Sequence, residues 1–395
     1  GGLNLIASET SPQLPAKMQY DPVDFVLDIA NHLHVGDRRA IGLSICAVLS
    51  TYIANSEGLH IKATGGSGKG KTDLLDLVTT ILNPGKVLRA SASPKAFFYH
   101  KIRAGTIIYF DDYKPNDDLD NFIKNATSKF HEALDHLTVN NGKPEIKKSS
   151  PRLVFFVTSV NPDQGIEVLN RSIMIDVDDS PEQDRKVADL ILERAKTGEI
   201  RRPLTDDVIE CQKFFSELAV EEPVIIAIPF ADKIKWADPS NRRDLSIFLD
   251  VLRSVTFWRR NIREIDENGA LMATEEDFKT AKQFFYGEDT CSLNTYRLTK
   301  SARELAKILY CSYPKGLTRE EVAEKMEVSV SRISQIKKEL DHVPGYREEN
   351  KTECDYSDDI ITYNDTTKTT KRITKTYTVM YMSKSLETGA VYLDR

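Results

Sequence analysis

The sequence has no C-x-x-C pair, and its five cysteines, Cys46, Cys211, Cys291, Cys311 and Cys354, are widely scattered. Neither a zinc ribbon nor a disulfide framework is built from such spacing. A reducing interior, the cytoplasm, is the compartment expected for a chain that uses cysteine this way. No apolar run approaches the ~18 residues a membrane-spanning helix needs. There is no excess of positive charge: the formal net charge is −6, so any contact with nucleic acid has to come from local basic clusters. The start, Gly1-Gly2-Leu3, carries no methionine and no signal-peptide pattern. It reads as a cut end, with an upstream domain expected before it. Internal repeats are absent too. What remains is an ordinary globular composition, 40% hydrophobic and 29% charged, over 395 residues, long enough for two or three domains.

Against that plain background stands Gly65-Gly66-Ser67-Gly68-Lys69-Gly70-Lys71-Thr72, which fits G-x-x-x-x-G-K-[ST] without a mismatch. Glycines let backbone N–H groups turn inward around phosphates. Lys71 is placed to reach the β- and γ-phosphates, and the Thr72 hydroxyl to hold Mg²⁺. Gly58–Thr64 reads as a short strand before the loop. The segment from Asp73 to Leu82 has apolar residues at helical spacing after it. Strand, loop and helix in that order put phosphates on a helix N-terminus, and Asp73 closes the set expected to bind ATP.

Such a site needs a second acidic element on a neighbouring strand. Forty residues past Lys71, Thr106-Ile107-Ile108-Tyr109-Phe110 ends in Asp111 and Asp112. Ligands of open α/β sheets sit at the carboxyl ends of strands, so Asp111 is the expected Mg²⁺ partner. Asp112 is expected to orient or deprotonate the attacking water. A further buried strand from Arg152 ends in Ser159-Val160-Asn161-Pro162; Asn161 is the first choice to sense the γ-phosphate and Ser159 the second. Arg171 then precedes the apolar strand Ser172–Val177 and suits an arginine finger supplied to a neighbouring subunit.

The expected organisation is a leader at 1–21, an α/β core with a mostly parallel sheet and N-terminal helices at 22–178, a helical lid at 179–290, and a separate unit at 298–395. In the lid, Asn241-Arg242-Arg243-Asp244-Leu245 opens a long amphipathic helix ending near Arg260. In the last unit, three helices are expected over 302–310, 317–326 and 329–340. Thr318 and Glu321 form a capping-box signature. This is helix-turn-helix spacing, and the third helix presents Ser331, Arg332, Gln335 and Lys338. The tail from Tyr346 reads as a long wing with Lys368, Lys371, Arg372 and Lys375 as its basic run. Both DNA binding and protein binding are open to it.

The order of phosphate loop, acidic strand, polar-tipped strand, arginine and helical lid resembles an AAA+ ATPase. His131-Glu132-Ala133-Leu134, then Leu137-Thr138-Val139-Asn140-Asn141-Gly142-Lys143, then Pro151-Arg152 resembles the minichromosome maintenance (MCM) replicative helicases. Their pattern at this place is an E-A-M-E helix, a T-I strand, a hairpin tip carrying lysine, and an arginine opening the next strand. Lys143 lies eleven positions after Glu132, the family's spacing. Asn141-Gly142 is by itself the strongest short hairpin signal. Lys143, Lys147 and Lys148 lie beside it.

The resemblance spans about residues 22–285. It implies ATP hydrolysed with Mg²⁺ between subunits of a ring, a hexamer, with Lys143 touching DNA, single-stranded or forked. Arg171 matches the finger arginine. Arg243, with Arg242 as a close rival, matches the sensor 2 arginine. A winged helix is common at the C-terminus of these helicases, which brings in Arg332 and Lys338 as DNA contacts or, alternatively, a docking site for replication proteins. Three features depart from the pattern. No room exists for an extra hairpin between loop and acidic strand, Asp112 stands where glutamate is usual, and Ser172-Ile173 follows the finger. The expectation is therefore a distant, streamlined relative of the kind a plasmid, virus or integrated element encodes. The competing class is an initiator or origin-recognition ATPase that binds DNA without unwinding it. An AAA+ transcription regulator would need a partner-binding loop that the sequence does not display.

Overall fold

The structure, a computed structural model, describes residues 21–64, 68, 70–82, 84–89, 96–99, 102–111, 113–114, 117–140, 143–159, 172–177, 181–199, 204–236, 242–286, 300–341, 343, 346–357, 371–382 and 392–393. They fall into two compact units, Gly1–Ile234 with Ser240–Gly287, and Lys235–Pro239 with Glu288–Asp394.

The larger unit opens with α1 (Pro22–Leu33) and α2 (Arg38–Leu49). Asp21 caps α1 by accepting from the Val23 amide at 2.8 Å, and Pro22 occupies the first turn, where no amide is needed. Phe25, Val26, Ile29 and Ala30 form the buried stripe. Every residue of α2 from Ala40 to Leu49 is buried, so this helix lies inside the core, packed on α3 (Lys71–Leu82), α8 (Arg242–Trp258) and α9 (Glu275–Tyr286).

Five parallel strands follow: β1 (His60–Thr64), β2 (Val87–Arg89), β3 (Ile107–Phe110), β6 (Val154–Ser159) and β7 (Ser172–Asp176), in the order β2-β3-β6-β1-β7. Thus β6, late in the chain, is inserted between β1 and β3 and pairs with both. The mostly parallel sheet expected from the alternating pattern is present. All four residues of β3 are buried, as a strand covered on both faces requires. Ile108 and Phe110 pack with Phe97 and Phe122, from α4 (Ala96–Tyr99) and α5 (Asp117–Ser128).

Between β3 and β6 the chain forms an antiparallel hairpin of β4 (Asp135–Asn140) and β5 (Lys143–Lys148). Its register sets Asn140 opposite Lys143; Asn141 and Gly142, the expected turn, lie outside the described residues. The segment His131–Leu134, which by resemblance corresponds to a helix, is instead turn and irregular chain. Here α5 has already ended at Ser128, and the His131 ring bonds the Ser56 carbonyl at 2.6 Å, while the Arg152 amide takes the Phe130 carbonyl. These tethers compete with helical continuation.

The helices α6 (Pro181–Thr197), α7 (Asp206–Leu218), α8 and α9 complete the larger unit. Thr205 caps α7 by accepting from the Val208 amide. Past α8, the chain is locked by Asp277, which is fully buried and bridges Arg259 at 2.9 Å and Arg263 at 2.8 Å. Burial alone would raise the Asp277 pKa, but the two guanidiniums and the Thr274 amide hold it below the usual carboxylate value. Arg259 also reaches back to Asp21, tying the cap of α1 to the end of α8.

The smaller unit contains α10 (Lys300–Cys311), α11 (Arg319–Lys325) and α12 (Val330–Ile336). The capping box forms as expected: Thr318 Oγ accepts from the Glu321 amide, and Glu321 accepts from the Thr318 amide at 2.7 Å. The third helix is shorter than its sequence pattern, because Lys337–Leu340 tightens into a 3₁₀ turn. Leu305, Leu309, Val322, Ile333, Ile336 and Met380 form the core. Two twelve-residue antiparallel strands, Tyr346–Ser357 and Lys371–Met382, make the long wing, and Leu317–Thr318 adds a short third strand.

Candidate functional site

The site lies at the carboxyl ends of β1, β6 and β3, where open α/β sheets hold ligands. Gly68 and Gly70 have φ of 77° and 93°, a left-handed conformation that side chains rarely adopt. Helix α3 starts directly after them, and the Leu74 amide donates to the Gly70 carbonyl at 2.9 Å. Lys71, at the first helical position, is only 8% exposed. Thr72 is half-buried on the same turn.

Asp111 follows the last residue of β3 and is exposed. Two hydroxyls donate to its Oδ1: Thr72 at 3.0 Å and Thr158, near the tip of β6, at 2.8 Å. The strand order explains the convergence, since β6 between β1 and β3 brings Thr158 beside both. The Tyr113 amide bonds the Thr158 carbonyl at 2.9 Å and fixes the chain leaving the acidic strand. Thr72 and Asp111 thus offer adjacent hard-oxygen donors that suit a divalent cation whose other ligands are phosphate oxygens and water. Among the described residues no group of three His, Cys, Asp or Glu could hold a metal without such help.

Behind the loop, His34 lies in the connection between α1 and α2. One ring nitrogen contacts Asp73 and the other Asp37, each at 2.9 Å. Burial pulls its pKa down, but the hydrogen bonds and charges of the two carboxylates outweigh burial and push it up to about 9. The Asp73 carboxylate, expected on the nucleotide side, is therefore engaged by a histidine that the motif gives no hint of. A cavity of about 480 Å³ opens beside these groups, lined by Leu33, Gly70, Val177, Val187, Ile191 and Arg194 among others. Its size and mixed lining are those of a small-molecule pocket.

Tyr109 sits on the same face of β3 as Asp111 and is 1% exposed. The Arg89 guanidinium stacks on its ring 4.8 Å from the centroid and pairs with Asp76 of α3. Burial raises its pKa, as do the Asp111 and Asp76 carboxylates, while the Thr72 hydroxyl and Arg89 oppose them.

Gly65, Gly66, Ser67, Lys69, Asp112, Asn161 and Arg171 lie outside the described residues. Ser159 ends β6. Arg242 and Arg243 are exposed on the first turn of α8. Lys143 is exposed beside the hairpin tip and has no ion pair among the described residues, whereas Lys147 is paired with Glu145 and Lys148 with Asp135 at 3.6 Å. On α12, Arg332 is exposed and bonds Gln335 at 3.1 Å; Lys338 is exposed in the 3₁₀ turn. No described helix is long and apolar enough to cross a membrane.

Comparison with known proteins divides the chain as its geometry does. Residues 303–339, the helix-turn-helix, match sigma-70 region 4. The Methanothermobacter marburgensis protein MTBMA_p00010, itself uncharacterized, is 25% identical over 309 residues, covering 73% of this chain and 37% of that protein. The chain thus spans little more than a third of its relative's length. The fold is an α/β P-loop domain with a C-terminal helix-turn-helix of winged-helix type, and such a P-loop domain implies nucleotide binding. Residues 16–221, more than half of the chain, match the MTBMA_p00010 P-loop domain model, and the chain belongs to that family.

Proposed function

We propose that the chain is an ATP-driven DNA motor of the AAA+ class, similar to the MCM helicases, working as a hexameric ring in replication. The observation that carries this reading is the β4–β5 hairpin, inserted between the acidic strand and the strand bearing Thr158, with Lys143 exposed beside its tip. A lysine on a hairpin rooted between two strands of the nucleotide site couples DNA contact to events at that site.

In this reading Lys71 and the glycine-rich loop hold the phosphates, and Thr72 and Asp111 hold Mg²⁺. The cation neutralises charge that develops on the phosphoryl group. Asp112 orients the attacking water, and Asn161 senses the γ-phosphate. Arg171 and Arg243 come from the neighbouring subunit. Lys143 grips the DNA backbone; Lys147 and Lys148, each balanced by a carboxylate, add less to the grip. Arg332 and Lys338 contact DNA from the helix-turn-helix. The opposite face of the hairpin exposes Leu137, Val139 and Ile146 at 71%, 70% and 59%, an apolar surface suited to a neighbouring copy.

The competing reading is a DNA-binding switch that hydrolyses ATP without unwinding. The neutralised Lys147 and Lys148 favour it, since they reduce the positive charge a moving grip would use. The test of the shared site is complementation: an Arg171→Ala chain mixed with a Lys71→Ala chain is expected to recover part of the ATPase that each alone lacks. No recovery, with assembly intact, would count against a site shared between subunits.

A further inference from the structure

The connection between α1 and α2 brings a charged cluster against the phosphate loop. A side-chain carbon added to Gly70 would stand 3.8 Å from Cε1 of His34, so the ring lies directly against the loop. Its Nδ1 meets Asp73 on the first turn of α3 and its Nε2 meets Asp37, each at 2.9 Å. An ionised carboxylate only accepts, and a neutral imidazole has one N–H. A ring bonded to carboxylates through both nitrogens is therefore an imidazolium. Asp37 is a non-glycine residue at φ 54°, and although it precedes α2 its side chain makes no capping bond there. Its carboxylate goes to His34, and backbone strain of this kind persists only where the surroundings over-determine it.

Helix α6 holds the same connection in place. Gln183 donates to the Val35 carbonyl, and Arg194 donates to the Leu33 carbonyl at 2.9 Å. The charged groups around the ring are Asp37 of its own connection, Asp73 of α3, Asp184 and Arg194 of α6, and Glu199 after that helix. We propose that His34 is a positioning residue for the phosphate site: its imidazolium cancels the Asp73 carboxylate, ties the first turn of α3 to the α1–α2 connection, and so makes nucleotide affinity depend on the proton it carries. Without that proton one of the two bonds is lost, and the cluster beside the phosphates is one unit more negative. The ring and Asp37 are only 7% and 4% exposed, so salt and water screen that change little. Burial opposes the charge, but the two carboxylates outweigh it and hold the pKa at about 9. Nucleotide phosphates favour the protonated form, and by reciprocity a bound nucleotide makes His34 hold its proton more tightly.

This assignment rests on the nucleotide reading of the P-loop, and the experiment separates the two. ADP binding to the full chain is measured by calorimetry in excess chelator, which keeps divalent cations out of the comparison. Circular dichroism confirms the fold at each pH. The expected result is affinity weakened by about five- to tenfold between about pH 7 and pH 10, the low end of coupling between two sites. Near pH 9 binding takes up protons, read as a heat that varies with the ionisation enthalpy of the buffer. His34→Gln binds ADP at the weaker level at both pH values and loses that uptake. Lys71 is present in every chain, so its own titration does not distinguish them. Asp73→Asn binds ADP more tightly than the parent at the higher pH, because the carboxylate that a neutral ring fails to cancel is gone. It tests the same claim if His34→Gln does not fold.

Equal ADP affinity of the parent at both pH values overturns the assignment and leaves the P-loop reading standing. So does a His34→Gln chain that keeps the parental fall in affinity and proton uptake, or an Asp73→Asn chain that binds more weakly than the parent at the higher pH. A parent that binds no ADP at either pH overturns both, and is recognised from the parent alone.

Discussion

Thr72, on the first turn of α3, donates to Asp111, 39 positions later at the end of β3, across 3.0 Å. That bond closes the gap between the phosphate-binding loop and the acidic strand. Asp111→Asn keeps an oxygen for Thr72 and Thr158 to bond but removes the charge. Phosphate release from ATP should fall by roughly a hundredfold, the scale of removing one electrostatic stabiliser, with little change in melting temperature. An unaltered rate would remove Asp111 from the site.

His34 makes stability depend on pH. Its pKa is about 9 folded, against 6.5 for the free side chain. Between those values the folded chain binds more protons than the unfolded one, so stability falls as pH rises. The contribution is fully present below pH 6.5 and lost once pH passes 9. It amounts to about 3 kcal/mol at most. Urea unfolding at intervals across this window should show the decline, and His34→Gln should flatten it, because glutamine cannot take a proton between Asp37 and Asp73.

Lys143 and Lys147 are four positions apart on one strand yet differ in what surrounds them. Lys147 is balanced by Glu145 and Lys143 faces solvent. Lys143→Ala should weaken binding to DNA of any sequence and reduce the slope of log affinity against log salt by about 1. Lys147→Ala should change the slope less. Fluorescence anisotropy over a salt series compares them directly.

Much of this was legible in the chain itself. Buried strands announced themselves as short apolar runs ending in acids or hydroxyls, and Asn141-Gly142 signalled a hairpin whose strands set Asn140 opposite Lys143. Thr318 and Glu321 marked the start of α11 because capping is a local interaction. What sequence reasoning missed is long-range. Nothing near His34 foretells that it meets Asp73, 39 positions away. Tyr109 read as one more apolar strand residue, and only the fold stacks Arg89 on its ring. Thr158 gained its role from β6 lying between β1 and β3, an order that chain succession does not reveal. Nothing in the sequence around Asp277 marks it as the counter-charge of Arg259 and Arg263.

Asp277 carries a prediction about stability rather than function. Both arginines it serves are buried, with side-chain exposures of 3% and 7%. Asp277→Ala removes the counter-charge shared by these buried cations, and chemical denaturation should register a loss of about 3–5 kcal/mol. A loss below about 1 kcal/mol, the value of a surface pair, would show that the clamp is not formed in solution.

The central claim is that energy from the nucleotide site moves DNA. Strand displacement on 3′- and 5′-tailed forks tests it most directly, with ATP, with a non-hydrolysable analogue, and with Lys71→Ala and Lys143→Ala chains. The account predicts displacement on one fork polarity with ATP and Mg²⁺ only, absent in both variants, while Lys143→Ala retains basal ATPase. Fork binding and ATP hydrolysis without any displacement would contradict it and identify the chain as a switch.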